Sequence, residues 1–170
     1  MVVIALGVRM MKMSPTTALA MFFLYAALTG VTFSVLFLVY DLGTIQLAFF
    51  STAGAFLAMS VVGYTTQLDL SQYRSYFMMG LIGLIVAGLV NMFLRSSAMD
   101  MVISMFGVVI FVALTAYDTQ KIKRMAADPM INSDGTMAAR VSIYGALQLY
   151  LDFINLFLYL LRLFGRSSRR

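Results

Sequence analysis

The chain contains no histidine, no cysteine and no tryptophan, and all seven of its acidic residues are aspartates. Without histidine or cysteine, nucleophilic catalysis of the Ser-His or Cys-His kind cannot operate, and zinc sites built from those residues are excluded. Charged residues make up only 11% of the sequence, against about 25% in an ordinary soluble domain. Because a chain this small cannot bury so much apolar surface, the composition largely excludes a soluble globular protein.

What the sequence does contain is long apolar runs. Five of them approach the roughly 20 residues that a membrane-crossing helix needs: 16–40, 43–64, 75–94, 101–118 and 141–161. The runs lack the period-2 alternation of barrel strands, so they predict helices. The predicted fold class is therefore an all-α membrane protein, a polytopic bundle of five full spans that forms a single domain over 14–170. In this setting the net charge of +5 indicates contact with the lipid bilayer rather than with nucleic acid.

The first 13 residues are apolar but too short to span a membrane. Arg9 and Lys12 follow the apolar stretch, whereas the charges of a signal peptide precede it. We interpret residues 1–13 as the remnant of a truncated transmembrane helix, a partial span before the five full ones. Ser14 and Pro15 then have the pattern of an N-cap followed by proline at the first helical position.

The last apolar segment carries a stripe of polar side chains. Their spacing of three or four residues predicts that they share one helix face: Tyr144, Gln148, Asp152, Asn155, Tyr159, Arg162 and Arg166. Such a stripe faces a bundle interior or a wet cavity rather than lipid. The alternative is purely structural, since Gln and Asn often bond neighbouring helices. Asp152 favours a functional interpretation, because an ionised aspartate in mid-membrane costs about 2.5–3.5 kcal/mol or more.

Asp118 is the second candidate, at the end of the fourth apolar run. It either pairs with Lys121 at the membrane interface or meets Asp152 across two consecutive helices. Two carboxylates in one low-dielectric site tend to share a proton, so the pair would change its charge with pH. Their oxygens are also ligands of the type that Ca²⁺ prefers.

Three stretches of this sequence resemble the Bax inhibitor-1 family of membrane proteins, specifically its bacterial branch. They are MSVVGYTTQLDLS (59–71), TAYDTQKIK (115–123) and GALQLYLDFINLFLYLLRLFG (145–165). The resemblance implies a helical bundle whose last helix is central, in a bacterial cytoplasmic (inner) membrane. It also implies a pH-sensitive Ca²⁺ leak channel without a bound cofactor, with Ca²⁺ as the permeant ion.

By the same resemblance, the proton sensor and ion pathway fall on Asp118 and Asp152, which would also be the oxygen ligands for passing Ca²⁺. In a channel of this kind, Ca²⁺ would pass along the polar stripe of the last segment, lined by Tyr144, Gln148, Asn155 and Tyr159. In some relatives an arginine of the second helix latches one of the two aspartates, and Arg9 lies in the corresponding neighbourhood.

Two other functions stay open at this point. One is a regulatory membrane protein without transport activity, which binds partners such as a membrane-bound protease. The more remote one is an intramembrane aspartyl protease, which needs two membrane aspartates. Asp152 lies in Tyr-Leu-Asp-Phe rather than in the Gly-x-Gly-Asp motif of those proteases. We therefore expect a protein that is not an enzyme.

Overall fold

The structure, a computed structural model, describes residues 13–167, without the side chains of residues 132, 166 and 167. The predicted latch Arg9 therefore lies outside the described residues. Of the predicted partial span over 1–13, only Met13 is described. Within that range the chain is helical, with no strand. The helices are α1 (Pro15–Phe33), α2 (Leu36–Val39), α3 (Leu42–Thr65), α4 (Arg74–Leu94), α5 (Ser97–Ala126), α6 (Pro129–Ser133) and α7 (Gly135–Ser167), with a 3-10 turn at Leu70–Tyr73.

Five helical segments of the described range are long and apolar enough to cross a membrane. They are Pro15–Val39, Leu42–Thr65, Leu70–Leu94, Ser97–Ala126 and Gly135–Gly165. The prediction of an all-α membrane protein with five full spans is thus confirmed.

Short polar side chains begin most of these helices. Ser14 accepts a hydrogen bond from the Thr17 amide at the start of α1, with proline at the next position, as the sequence predicts. Asp41 caps α3 by accepting from the Thr44 amide at 2.8 Å. These side chains satisfy amide groups that have no partner inside the helix.

Helices α5 and α7 extend beyond the predicted spans and shorten the connection between them. The sequence indicates a connection of about 118–140, because charges end the apolar run at residue 118. Helix α5 continues to Ala126, and α7 already begins at Gly135. Lys123 and Arg124 lie in the last turn of α5, where positive charge interacts favourably with the helix dipole. Between the two helices lie the short helix α6 and Asp134, whose side chain accepts a hydrogen bond from the Thr136 amide.

Helices α5 and α7 share the interior of the bundle. Helix α7 packs against α1, α3 and α5, and helix α5 packs against α3, α4 and α7. The core residues with the least exposed surface include Leu156 and Leu161 on α7. The outer faces of the helices expose large apolar side chains, as a lipid-facing surface requires.

Candidate functional site

Most buried hydroxyl groups in the bundle are satisfied within their own helix. Thr52 donates to the Ala48 carbonyl at 2.6 Å, and Thr115 donates to the Phe111 carbonyl at 2.8 Å. Such bonds keep a polar side chain in an apolar interior at little cost. Among the buried polar residues, Asp118, Gln120 and Asp152 differ, because their polar contacts are with other segments of the chain.

Asp118 on α5 and Asp152 on α7 face each other in the interior. Each is only 3% exposed. Their carboxyl groups are close enough to interact by charge and by a hydrogen bond. The antiparallel packing of α5 on α7 produces this meeting, although 33 residues separate the two aspartates in the chain. The structure therefore brings together the two residues that the sequence selects, in one low-dielectric site.

The two carboxyl groups are not equally well bonded. Gln148 lies one turn before Asp152 on α7, and its Nε2 donates to Asp118 Oδ2 at 3.1 Å. Asp152 Oδ2 is buried and has no hydrogen-bond partner among the described residues. Because an unpaired oxygen of a carboxyl group is costly in a membrane interior, Asp152 is the less well solvated member of the pair.

Lys121 adds a positive charge beside this pair. Its Nζ donates to the Tyr144 hydroxyl at 3.1 Å and lies 5.2 Å from the centre of the Tyr144 ring. The charge of Lys121 acts on both Asp118 and Asp152. The sequence presents Lys121 only as an interface partner of Asp118, so its link to Tyr144 on α7 is a finding of the structure. Because Lys121 lies one turn after Asp118, the two side chains share the face of α5 that meets α7. This spacing is the signal that could have suggested the contact with Tyr144.

The predicted polar stripe of α7 divides into two parts. Tyr144, Gln148 and Asp152 belong to the site around Asp118. Asn155 instead donates to the Leu151 carbonyl of its own helix at 2.8 Å. Tyr159 packs its ring against Phe111, with 5.7 Å between ring centres.

Beyond Tyr159, the stripe continues toward the end of α7. Arg162 stacks on the Tyr159 ring at 5.6 Å, and the side chain of Arg166 lies outside the described part of the chain. Among the described residues, no hydrogen bond joins Asn155 or Tyr159 to the aspartate pair.

Apolar side chains close the site on the side of Asn155 and Tyr159. Leu114 lies one turn before Asp118 on α5, and Leu156 lies one turn after Asp152 on α7. Because the helices run in opposite directions, both leucines lie toward the same end of the bundle. With Phe111 they form part of one buried cluster, in which Leu156 is completely inaccessible. The polar contacts of the aspartate pair extend in the opposite direction, to Lys121 and Tyr144.

A second face of α5 holds the loop between α3 and α4. Gln120, only 5% exposed, donates to the Leu68 carbonyl at 2.8 Å and accepts from the Leu70 amide at 2.9 Å. Lys123 donates to the Tyr64 carbonyl at the end of α3. Sequence reasoning missed Gln120, although a glutamine two residues after a membrane aspartate indicates a polar contact.

An ion pair extends the same contact at the surface. Arg124 bonds Asp69 at 2.7 Å. The three stretches that carry the family resemblance thus meet in space: 59–71 on one face of α5, 115–123 within α5, and 145–165 on its other face.

No group of three or more acidic side chains that could hold a metal ion occurs among residues 13–167. Ca²⁺ prefers six to eight oxygen ligands in proteins, and Asp118 and Asp152 supply two carboxyl groups. Two carboxyl groups alone supply fewer oxygen ligands than a resident Ca²⁺ site in proteins has.

Comparison with known proteins identifies the family. Residues 1–169 match the model of a family described as "Inhibitor of apoptosis-promoting Bax1". The chain is 48% identical over 163 residues to the inner membrane protein YbhL of Escherichia coli. The matched region covers 96% of this chain and 69% of that protein. An uncharacterized protein of Borreliella burgdorferi is 55% identical over 155 residues, 91% of this chain and 66% of that protein.

A third relative, an uncharacterized protein of Rickettsia prowazekii, is 47% identical over 154 residues, 91% of this chain and 64% of that protein. The chain thus spans about two thirds of the length of these relatives. The name of the Escherichia coli protein gives its location as the inner membrane. Together with the five spans, this confirms the predicted location in the bacterial inner membrane. The chain belongs to the Bax inhibitor-1 family of integral membrane proteins.

Proposed function

We propose that this protein is a pH-sensitive Ca²⁺ leak channel in which Asp118 and Asp152 sense protons. The observation that carries the proposal is the meeting of two buried carboxyl groups on neighbouring spans, one of them with an oxygen that lacks a partner. Two ionised carboxylates only accept hydrogen bonds, so a proton on one of them supplies the missing donor. The bonding between α5 and α7 then depends on whether that proton is present.

The energy of this switch is large enough to affect helix packing. Two like charges about 4 Å apart at an effective dielectric constant of about 20 repel each other by about 4 kcal/mol. A difference of about 1.4 kcal/mol already changes a conformational equilibrium tenfold. A change in the charge of the pair therefore suffices to favour one packing of α5 on α7 over another. Lys121 and a passing cation would both reduce the repulsion.

The geometry also supports a pathway that is closed at one end. Lys121 and Tyr144 continue the polar contacts of the pair toward the connection between α5 and α7. In the other direction, Leu114, Leu156 and Phe111 form a buried apolar barrier. A cation that reaches the aspartates from the polar side would cross only when that barrier separates. Of the predicted lining residues, Tyr144 and Gln148 lie on the polar side, whereas Asn155 and Tyr159 lie at the level of the barrier.

The test is Ca²⁺ flux into liposomes that contain the purified protein, scanned from about pH 5 to 8, because gaining or losing a proton changes the charge of a coupled carboxyl pair. We expect flux that depends on pH. Asp118→Asn and Asp152→Asn should each alter the flux and remove most of its pH dependence. Asp134→Asn is the matched control, since Asp134 caps α7 and asparagine caps a helix equally well. Unchanged flux and pH dependence in both site variants would show the mechanism to be wrong.

A folded protein without flux would instead favour the regulatory alternative, in which the chain binds a partner such as a membrane-bound protease. Thermal unfolding of the reconstituted protein establishes that it is folded. Co-purification of a protease that persists in Asp118→Asn would support this alternative over the channel, because partner binding at another surface does not need the proton sensor.

A further inference from the structure

The outer face of α4 carries a surface cavity of about 520 Å³. It is lined by Arg74, Ser75, Met78, Met79 and Ile82. These positions recur at spacings of three and four residues, which places them on one face of the helix. The cavity lies away from the aspartate site, which α5 and α7 form.

The polar and apolar parts of this cavity are separated along the helix axis. Arg74 and Ser75 form the first two residues of α4, and the two methionines and Ile82 follow over the next two turns. Met79 is 69% exposed and Ile82 is 57% exposed. Because this segment is long and apolar enough to span a membrane, its exposed apolar side chains face lipid. Arg74 and Ser75 then lie at the boundary between the lipid and the water.

Arg74 has a charge that the described part of the protein does not neutralise. Asp69 is the acidic residue nearest in sequence, and it is engaged by the Ser71 hydroxyl and by Arg124. No ion pair of Arg74 occurs within residues 13–167. An unpaired guanidinium at a membrane boundary attracts a phosphate group, which it can bond through two N–H groups at once.

We propose that this face of α4 binds an anionic phospholipid. The phosphate group bonds Arg74 and the Ser75 hydroxyl, and one acyl chain lies along Met78, Met79 and Ile82. Methionine suits this contact because its flexible side chain adapts to an acyl chain. A lipid with a net negative charge is favoured over a zwitterionic one, because its headgroup contains no ammonium group that would repel Arg74.

A second cavity on the same helix provides a contrast. It has a volume of about 290 Å³ and lies between α4 and α5, against Gly83, Ala87 and Phe106. All of its lining residues are apolar, so it offers nothing that would select a headgroup. Substitutions in this second cavity are therefore controls for substitutions in the first.

The experiment is native mass spectrometry of the whole chain in detergent, with equal amounts of phosphatidylglycerol and phosphatidylethanolamine. We expect the wild-type protein to retain phosphatidylglycerol preferentially. Arg74→Gln should reduce this preference about fivefold, the contribution of one basic side chain near an anionic lipid. Arg74→Lys should keep most of it, because the charge remains. Arg95→Gln is the matched control: Arg95 is exposed at the opposite end of α4, and the variant should behave like wild type.

A variant of the apolar part tests the site without changing its charge. Met79→Trp fills the cavity and should reduce retention of phosphatidylglycerol, whereas Ala87→Leu in the second cavity should not. Equal retention of both lipids by the wild-type protein, or equal effects of Arg74→Gln and Arg95→Gln, would overturn the proposal. So would a dimer that forms through this face in place of bound lipid. Because the readout is bound lipid, the result does not depend on the proposed channel activity.

Discussion

The side-chain amide of Gln120 bonds the main chain of Leu68 at 2.8 Å, and its oxygen accepts from the amide two residues further on. One buried glutamine of α5 thus supplies both a donor and an acceptor to a loop whose main-chain groups have no helical partner. Unsatisfied main-chain groups cost several kcal/mol in an apolar environment. The contact therefore fixes the loop between α3 and α4 to the same helix that carries Asp118.

The first prediction concerns this contact. Gln120→Ala removes the partner of the Leu68 carbonyl and of the Leu70 amide, and each of these hydrogen bonds contributes about 0.5–1.5 kcal/mol to stability. We expect a lower free energy of unfolding by at least about 1 kcal/mol, measured by denaturant unfolding in detergent. Gln72→Ala is the control, because Gln72 is exposed in the same connection. Equal stability of the two variants would show that the contact contributes nothing.

The second prediction concerns the close approach of α3 and α5. A Cβ atom at Gly63 would overlap the main-chain carbonyl group of Ala116. Main-chain atoms cannot move aside as a side chain can, so Gly63→Ala should force the two helices apart. We expect a loss of about 1–3 kcal/mol in the free energy of unfolding. Gly54→Ala on the same helix meets nothing within 4 Å. It should stabilise α3 by up to about 1 kcal/mol, since alanine favours helix.

The third prediction concerns the pH dependence of the surface ion pair. The Ser71 hydroxyl and amide, together with the Arg124 guanidinium, hold the pKa of Asp69 below its ordinary value of 3.8. A lowered pKa in the folded state means that the contribution to stability is complete above pH 3.8 and is lost as the pH falls below it. We therefore expect the melting temperature of Asp69→Ala to lie slightly below that of wild type at neutral pH. This difference should shrink below pH 3.8.

Asp69→Asn separates the two causes of this effect. Asparagine keeps an oxygen that accepts from Ser71 but loses the charge that attracts Arg124. Added salt should reduce the difference in melting temperature between the wild-type protein and Asp69→Asn, because salt screens an exposed ion pair. A difference between wild type and Asp69→Ala that stays constant below pH 3.8 would contradict the assignment.

Local rules predicted much of this structure. The apolar runs gave five spans because a helix in lipid must satisfy its own main chain, a constraint that the sequence displays directly. The cap at Ser14 followed from its side chain and from Pro15. The two aspartates could be selected by the cost of charge in a membrane, and the structure places them together.

Features that depend on contacts between residues distant in sequence could not be predicted from local patterns. Beyond residue 118, α5 carries Gln120, Lys123 and Arg124, whose partners lie 52 to 59 residues earlier, at the end of α3 and in the loop after it. The division of the α7 stripe at Asn155 depends on which neighbour packs there. A spacing pattern specifies a helix face, but it does not specify what that face meets.

The last prediction concerns the apolar barrier beside the proposed sensor. Leu156 is completely buried one turn from Asp152, and it packs in the cluster that contains Phe111 and Leu114. Leu156→Ala leaves a cavity, at a cost of about 2–5 kcal/mol in stability. If this cluster separates the aspartates from the far side of the membrane, the variant should also raise Ca²⁺ flux at every pH. Its pH dependence should remain, because Asp118 and Asp152 are intact.

A control on the lipid-facing surface separates this effect from general destabilisation. Leu57 on α3 is 65% exposed, so Leu57→Ala should change neither the flux nor the barrier. Because a destabilised bundle also leaks, both variants are compared at temperatures equally far below their own unfolding transitions. Flux in Leu156→Ala that equals wild type under those conditions would place the barrier elsewhere. Flux that rises and at the same time loses its pH dependence would show that Leu156 acts on the sensor rather than on the barrier.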